Sequence, residues 1–205
     1  MASIPDNSPS SDADRRSLNI VRQTVRQLNR VGLLLTGGNL SCRSSVNEYL
    51  ITPTGYVVDQ MAVPEALELV KVRIDEDSPK IASSETPIHS ALYTRFPEVG
   101  GVCHVHSPSL LALGEPELWP RLTTSIEKCL PVHTVVGNGV ELAANAASLL
   151  TGSDSSLLSR YGIAIISPGH GVFTAARTLQ RAVHLMLRID ENASVALLSS
   201  NRRLN

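Results

Sequence analysis

The stretch that most constrains this chain is Gly101-Val102-Cys103-His104-Val105-His106-Ser107. A short apolar run framed by Gly100-Gly101 and by Ser107-Pro108 predicts a buried strand. Side chains alternate faces along a strand, so His104 and His106 project to one side and Cys103 and Val105 to the other. Two imidazoles on one face at that spacing can grip a single metal ion. Taken alone, such a pair more often means two histidines satisfied by hydrogen bonds. Two further residues can complete a site: Glu85 upstream and His170 downstream.

The elements that would carry those residues follow from periodicity. Leu18, Val21, Val25 and Leu28 recur at helical spacing and predict a helix from about Asp14 to Arg30, with Asp12 or Asp14 as cap. The Gly37-Gly38-Asn39 run after it is either a turn before a strand or a backbone cradle whose N–H groups converge on an anion. Strands are predicted at 48–52, 56–58, 69–74, 130–136, 163–166 and 172–174, and helices at about 85–96, 107–113, 141–150 and 179–198. A helical turn is expected at 64–67, and loops at 75–80, 114–120 and 152–156. Thr52-Pro53-Thr54-Gly55 is turn chemistry, yet Thr54 offers a hydroxyl and Gly55 lets a ligand approach the backbone. Ser83 and Ser84 sit where a helix cap belongs, and a helix N-terminus is also a ready anion site. Glu85 in a first turn suits the helix dipole. Gly169 and Gly171 hold His170 in an open turn at a strand end. His89 can line the groove beside Glu85, although a core or helix-surface position is the commoner one; His133 and His184 take structural roles by default.

A chain of 205 residues suits one domain: a disordered tail at 1–14, a folded body at 15–198 and a polar tail at 199–205. The net charge of −1 gives no general pull toward nucleic acid or an anionic membrane, and the scarcity of aromatics argues against a stacking platform for single strands. No apolar run approaches a membrane span, and the polar first residues lack the apolar core of a signal peptide. Three cysteines without C-x-x-C spacing suggest reduced thiols and a cytoplasmic setting.

Set in order, Gly37-Gly38-Asn39, Thr52-Pro53-Thr54-Gly55, Ser83-Ser84-Glu85, His104-Val105-His106 and Gly169-His170-Gly171 provide three imidazoles, one carboxylate and several anion-cradling loops. Three neutral imidazoles leave a zinc-type ion with open coordination, as in catalytic rather than structural sites. This series resembles the class II aldolase/adducin family over about residues 15–198. It is most similar to the sugar-phosphate aldolases of the L-fuculose-1-phosphate type and to the L-ribulose-5-phosphate 4-epimerases.

The resemblance implies an α/β fold, a three-layer α/β/α domain with a central, mostly antiparallel sheet. It implies a metal held by His104, His106 and His170, zinc first, with Mn2+, Co2+ or Fe2+ as alternatives. Glu85 would be the catalytic acid/base, and Gly38, Asn39, Thr54, Gly55, Ser83 and Ser84 would bind substrate phosphate. It further implies a homotetramer with active sites at subunit boundaries. The reaction expected is reversible retro-aldol cleavage of a small phosphorylated ketose through an enediolate. The alternative is 4-epimerisation, decarboxylation or dehydration at the same site. A non-enzymatic adducin-like module would be expected to lose ligands that this chain keeps. One departure concerns the aldehyde end, where the aldolases use tyrosines. No Tyr lies between Gly114 and Pro131 or beyond Tyr161, and Ser125, Glu127 or His133 could substitute for them.

Overall fold

Short strands with alternating apolar faces assemble into a seven-stranded sheet in the computed structural model. The model describes residues 11–35, 37–55, 66–113, 132–134, 139–150, 158 and 162–201. The strands are β1 Gly38–Arg43, β2 Glu48–Ile51, β3 Val70–Arg73, β4 Gly101–Val105, β5 Val132–Thr134, β6 Ile163–Ser167 and β7 Gly171–Ala176. Their order across the sheet is β3-β2-β1-β4-β7-β6-β5. All neighbours pair antiparallel except β5 and β6, which run parallel. The strand carrying His104 therefore lies at the centre, between β1 and β7, with Asn39 and Phe173 as its register partners.

Among the described residues five helices cover the two faces: α1 Asp12–Arg30, α2 Thr86–Arg95, α3 Pro108–Leu113, α4 Gly139–Leu149 and α5 Leu179–Asn201. The alternation along β4 and β7 decides which side each residue serves. Cys103, Val105 and Val172 pack with Val21, Val25 and Leu28 of α1, Leu110 of α3 and Val183 and Met186 of α5. Val102 and Phe173 join the opposite core with Ile88, Leu92 and Tyr93 of α2 and Leu142 of α4. The result is the three-layer α/β/α arrangement. Burying each large apolar side chain in these layers contributes about 1.5–3 kcal/mol, which is what holds the helices to the sheet.

Several boundaries differ from the sequence reading. Helix α1 starts at Asp12 because Ser11, not Asp12 or Asp14, is the cap: its hydroxyl accepts from the Asp14 N–H at 3.1 Å. Asp14 is buried instead, and its carboxylate accepts from Lys71 Nζ at 2.8 Å, tying α1 to β3. A carboxylate removed from water needs such a partner. The folded body therefore begins within the stretch read as a tail. Helix α5 likewise runs to Asn201, since neither Gly nor Pro interrupts 199–201. The expected strand at 56–58, the loops at 114–120 and 152–156 and the tails at 1–10 and 202–205 lie outside the described residues, as do the flanks of β5 and the start of the turn at 64–67. Among the described residues no helix is long and apolar enough to cross a membrane.

Cys42 and Cys103 are free and buried on adjacent strands of the central sheet. Burial pushes the Cys42 thiol up to about 12 and raises that of Cys103 as well, so neither offers a thiolate near neutrality. In a Cys129→Ser variant, a thiol reagent at pH 8 is expected to modify these two cysteines no faster than the protein unfolds. Rapid labelling of either in the native state would contradict the packing described.

Candidate metal centre

His104 is placed by β4, and its ring is fixed from two sides. Nδ1 lies 2.9 Å from the Val172 carbonyl oxygen of β7, so it carries the proton and donates it. The ring also stacks on Phe173, with centroids 3.8 Å apart and planes 8° from parallel. Nε2 is thereby left with a lone pair, and it is buried with no hydrogen-bond partner among the described residues. Burial, and then the neighbouring His106, hold His104 well below the usual imidazole range, so it stays neutral. A neutral ring whose second nitrogen is tied to a carbonyl is how a histidine is prepared for a cation.

His106 lies one residue beyond the end of β4, and its ring centroid is 4.9 Å from that of His104. His170 comes from the tight turn between β6 and β7. There the His170 N–H donates to the Ser167 carbonyl at 3.0 Å, with Pro168 leading and Gly169 at φ +72, the pattern of a type II turn. This puts the His170 ring 5.1 Å from His104 and 5.5 Å from His106. One ligand nitrogen from each of the three lies within 4.8 Å of the others.

Gly171 matters in a different way from the open turn expected of it. A Cβ built there would stand 2.6 Å from the Val105 carbonyl oxygen, 2.9 Å from His104 Cε1 and 3.0 Å from His106 Cδ2. Its missing side chain is the space the two imidazoles occupy. Glycines beside a histidine were visible in the sequence, but which ring they make room for depends on strand pairing.

Glu85 stands at the N-cap of α2, buried, with its backbone N–H donating to the Ser83 hydroxyl at 3.3 Å. Its Oε1 is 3.7 Å from His170 Nε2, while Oε2 is buried without a hydrogen-bond partner among the described residues. Two buried acceptor atoms without partners among the described residues, one on His104 and one on Glu85, thus belong to residues that line the same cleft. Leaving such groups dry and unpaired is costly, and a divalent cation is the partner that suits both. The three imidazoles fit such an ion by donor type and by spacing, and the Glu85 carboxylate lies beside them, 3.7 Å from His170.

The loops read as anion cradles arrive by separate routes. Asn39 is on β1, opposite His104. The Leu40 N–H donates to the Thr52 hydroxyl at 3.2 Å, which ties the 52–55 loop to β1. Pro53 bridges Ala82, and the Thr54 N–H donates to the Ile81 carbonyl at 2.9 Å, so this loop lies against the one carrying Ser83 and Ser84. A cleft of about 220 Å³ results, lined by Gly38, Asn39, Thr54, Gly55, Ser83 and Ser84 together with Glu85, His104, His106 and His170. Gly37 and Pro53 also line it. His89 does not: it is fully buried behind Asn39, so its core position is the one realised. Ser125 and Glu127 lie outside the described residues, and His133 falls on β5.

The sequence model of the class II aldolase and adducin N-terminal domain matches residues 21–197. Among curated proteins, a 5-methylthioribulose-1-phosphate/5-deoxyribulose-1-phosphate aldolase of Rhodospirillum rubrum is 27% identical over 177 residues, 82% of this chain and 75% of that protein. A methylthioribulose-1-phosphate dehydratase of Sodalis glossinidius is 31% identical over 164 residues, 73% of this chain and 80% of that protein. Among solved structures, the L-fuculose-1-phosphate aldolase of Thermus thermophilus superposes with a TM-score of 0.69 at 24% identity, covering 92% of this chain and 96% of that one. At that identity the likeness speaks for the fold.

The space kept by Gly171 predicts that Gly171→Ala sharply lowers the divalent metal retained after dialysis, measured by elemental analysis against the wild-type protein. His104→Ala is expected to abolish retention. Full metal content in both variants would disconnect the three rings from cation binding.

Proposed function

Because the chain belongs to the class II aldolase and adducin family, we propose that it is a divalent-metal-dependent lyase acting on a small phosphorylated ketose. The observation that carries this reading is the meeting of three imidazoles and one buried carboxylate on the wall of a cleft otherwise lined by Gly, Asn, Thr, Ser and Pro53. Zinc is the ion proposed first, with Mn2+, Co2+ and Fe2+ behind it, and His104, His106 and His170 would hold it. When bound, the ion supplies a Lewis acid for a carbonyl oxygen of the substrate.

The chain's own residues account for the rest. Gly38, Asn39, Thr54, Gly55, Ser83 and Ser84 bring backbone N–H groups, hydroxyls and one amide to an anionic end, which is the chemistry of a phosphate cradle. Glu85, out of bulk water and 3.7 Å from His170, is proposed to hand a proton to, or take one from, the carbon next to the substrate carbonyl. In aldol cleavage the β-hydroxyl gives its proton to water as the bond between the α- and β-carbons breaks, and Glu85 in its acid form protonates the α-carbon of the ketone fragment and is reprotonated from water. In dehydration Glu85 instead removes the α-proton and the β-hydroxyl leaves as water.

Cleavage is the first reading. Dehydration is the second, and the 31% identity to a methylthioribulose-1-phosphate dehydratase favours keeping it. Both point to a pentulose 1-phosphate with a deoxy or thioether terminus, the substrate class in the names of the relatives. A homotetramer with sites at subunit boundaries belongs to the same proposal, in keeping with the exposure of Thr54, Gly55 and Ser84 at the cleft among the described residues. So does a cytoplasmic setting, in keeping with the free, buried Cys42 and Cys103.

Incubating the zinc-loaded protein with 5-methylthioribulose 1-phosphate and 5-deoxyribulose 1-phosphate separates the two readings. Dihydroxyacetone phosphate with an aldehyde is expected from cleavage, and a dehydrated diketone phosphate with its carbon chain intact from dehydration. Glu85→Gln is expected to lower turnover by about 100-fold or more with metal content unchanged. A fully loaded enzyme that converts neither compound would sink the substrate proposal.

A further inference from the structure

Asn39 reaches the cleft at the end of a buried chain of polar groups. Its carboxamide oxygen lies 2.6 Å from His89 Nε2, His89 Nδ1 lies 2.7 Å from the Ser41 hydroxyl oxygen, and that oxygen lies 2.8 Å from the Tyr93 hydroxyl. The arrangement follows from two periodicities. Asn39 and Ser41 are two apart on β1 and share a face, and His89 and Tyr93 are four apart on α2 and share a stripe. All four side chains are buried.

Such a dry chain has one favoured order of protons. Burial raises the Tyr93 phenol well above its usual range, so it keeps its proton, and burial lowers His89 to about 3, leaving a neutral ring with a single N–H. Among the described residues the Ser41 oxygen is the acceptor within reach of the Tyr93 hydroxyl. Tyr93 donates to Ser41, and Ser41 sends its own proton to His89 Nδ1. The one ring proton then sits on Nε2 and is donated to Asn39. In the opposite order the Tyr93 proton would be buried without an acceptor, which the interior disfavours. The same order settles the Asn39 amide: the atom facing His89 is the oxygen, so the nitrogen is the end turned to the cleft.

We infer that His89 is a positioning residue whose Nε2 proton, ordered by Tyr93 through Ser41, holds Asn39 with its NH2 toward the cleft, presenting donors and no acceptor to the anionic group of the substrate. The inference rests on the reading of the cleft as a phosphate site and extends it. An amide turned the other way would offer oxygen to an anion and repel it, so the proton order on a residue that never touches substrate governs the affinity of one that does.

Two measurements on the zinc-loaded full chain test this, with inorganic phosphate as the probe. In protein labelled with 15N-histidine, the His89 resonances are expected to show Nε2 protonated and Nδ1 bare. Phosphate binding is expected to weaken about tenfold in His89→Leu, which removes the donor, and to stay within about threefold of wild type in His89→Gln, whose amide N–H can still reach Asn39. Metal content should be unchanged in both variants, which sets this effect apart from general damage to the site. Asn39→Ala is the reference. If it weakens phosphate binding while His89→Leu does not, or if Nδ1 carries the proton, the positioning role is overturned and the phosphate reading stands. If Asn39→Ala leaves phosphate binding intact, the phosphate reading itself fails and the inference goes with it. Should His89→Leu not fold, the tautomer observed in the wild-type protein decides alone.

Discussion

The hydrogen bond from His104 Nδ1 to the Val172 carbonyl is the contact on which the centre depends. It links the two central strands by side chain as well as by ladder, selects the tautomer of one ring, and leaves that ring's other nitrogen pointing into a space already bounded by His106, His170 and Glu85. The stack on Phe173 removes the remaining freedom of the ring. Because His104 is fully buried, desolvation keeps it neutral, and a neutral ring with a fixed lone pair is the form that binds a cation. The other two histidines are less enclosed and come from chain ends of strands, so the buried one sets the frame they complete.

The chemistry drawn from this frame is economical. A ketose 1-phosphate has a carbonyl, an acidic carbon beside it and an anionic end. In the proposed function the cleft would oppose these with three imidazoles, one carboxylate and a set of N–H and O–H donors, on elements joined to one another by the Thr52, Pro53 and Thr54 contacts. Cleavage and dehydration of such a ketose both draw on a polarised carbonyl and a β-hydroxyl, and differ in whether the α–β carbon bond or the α-proton is given up. That is why relatives named for either reaction can resemble this chain to similar degrees.

Much of this could be read in the sequence, for reasons that are physical. The H-x-H run is a strand because it is apolar and bounded by glycine and proline, and strand alternation alone puts both rings on one side. The three layers, the central position of the histidine strand and the turn at His170 agree with that reading. Local caps were harder. Ser and Asp both cap helices, so the sequence does not choose Ser11 over Asp12 or Asp14, and the burial of Asp14 against Lys71 depends on a strand far along the chain. What no periodicity could show were contacts made by register. Gly171 lies against two imidazoles, and His89 stands behind Asn39 only because β1, β4, β7 and α2 meet in this order.

That order has a bearing on how the protein is made. The rings and their supports are drawn from β1, β4 and β7, whose register partners Asn39, His104 and Phe173 are widely separated along the polymer. No shorter stretch of chain brings them together, and pairings between distant segments form late and slowly. A polypeptide emerging from the ribosome therefore holds His104 and His106 idle until the hairpin bearing His170 has been synthesised and has closed against the middle of the sheet. Any ion that the three rings would hold must then wait on completion of the fold, since no half-built chain carries the full set of ligands.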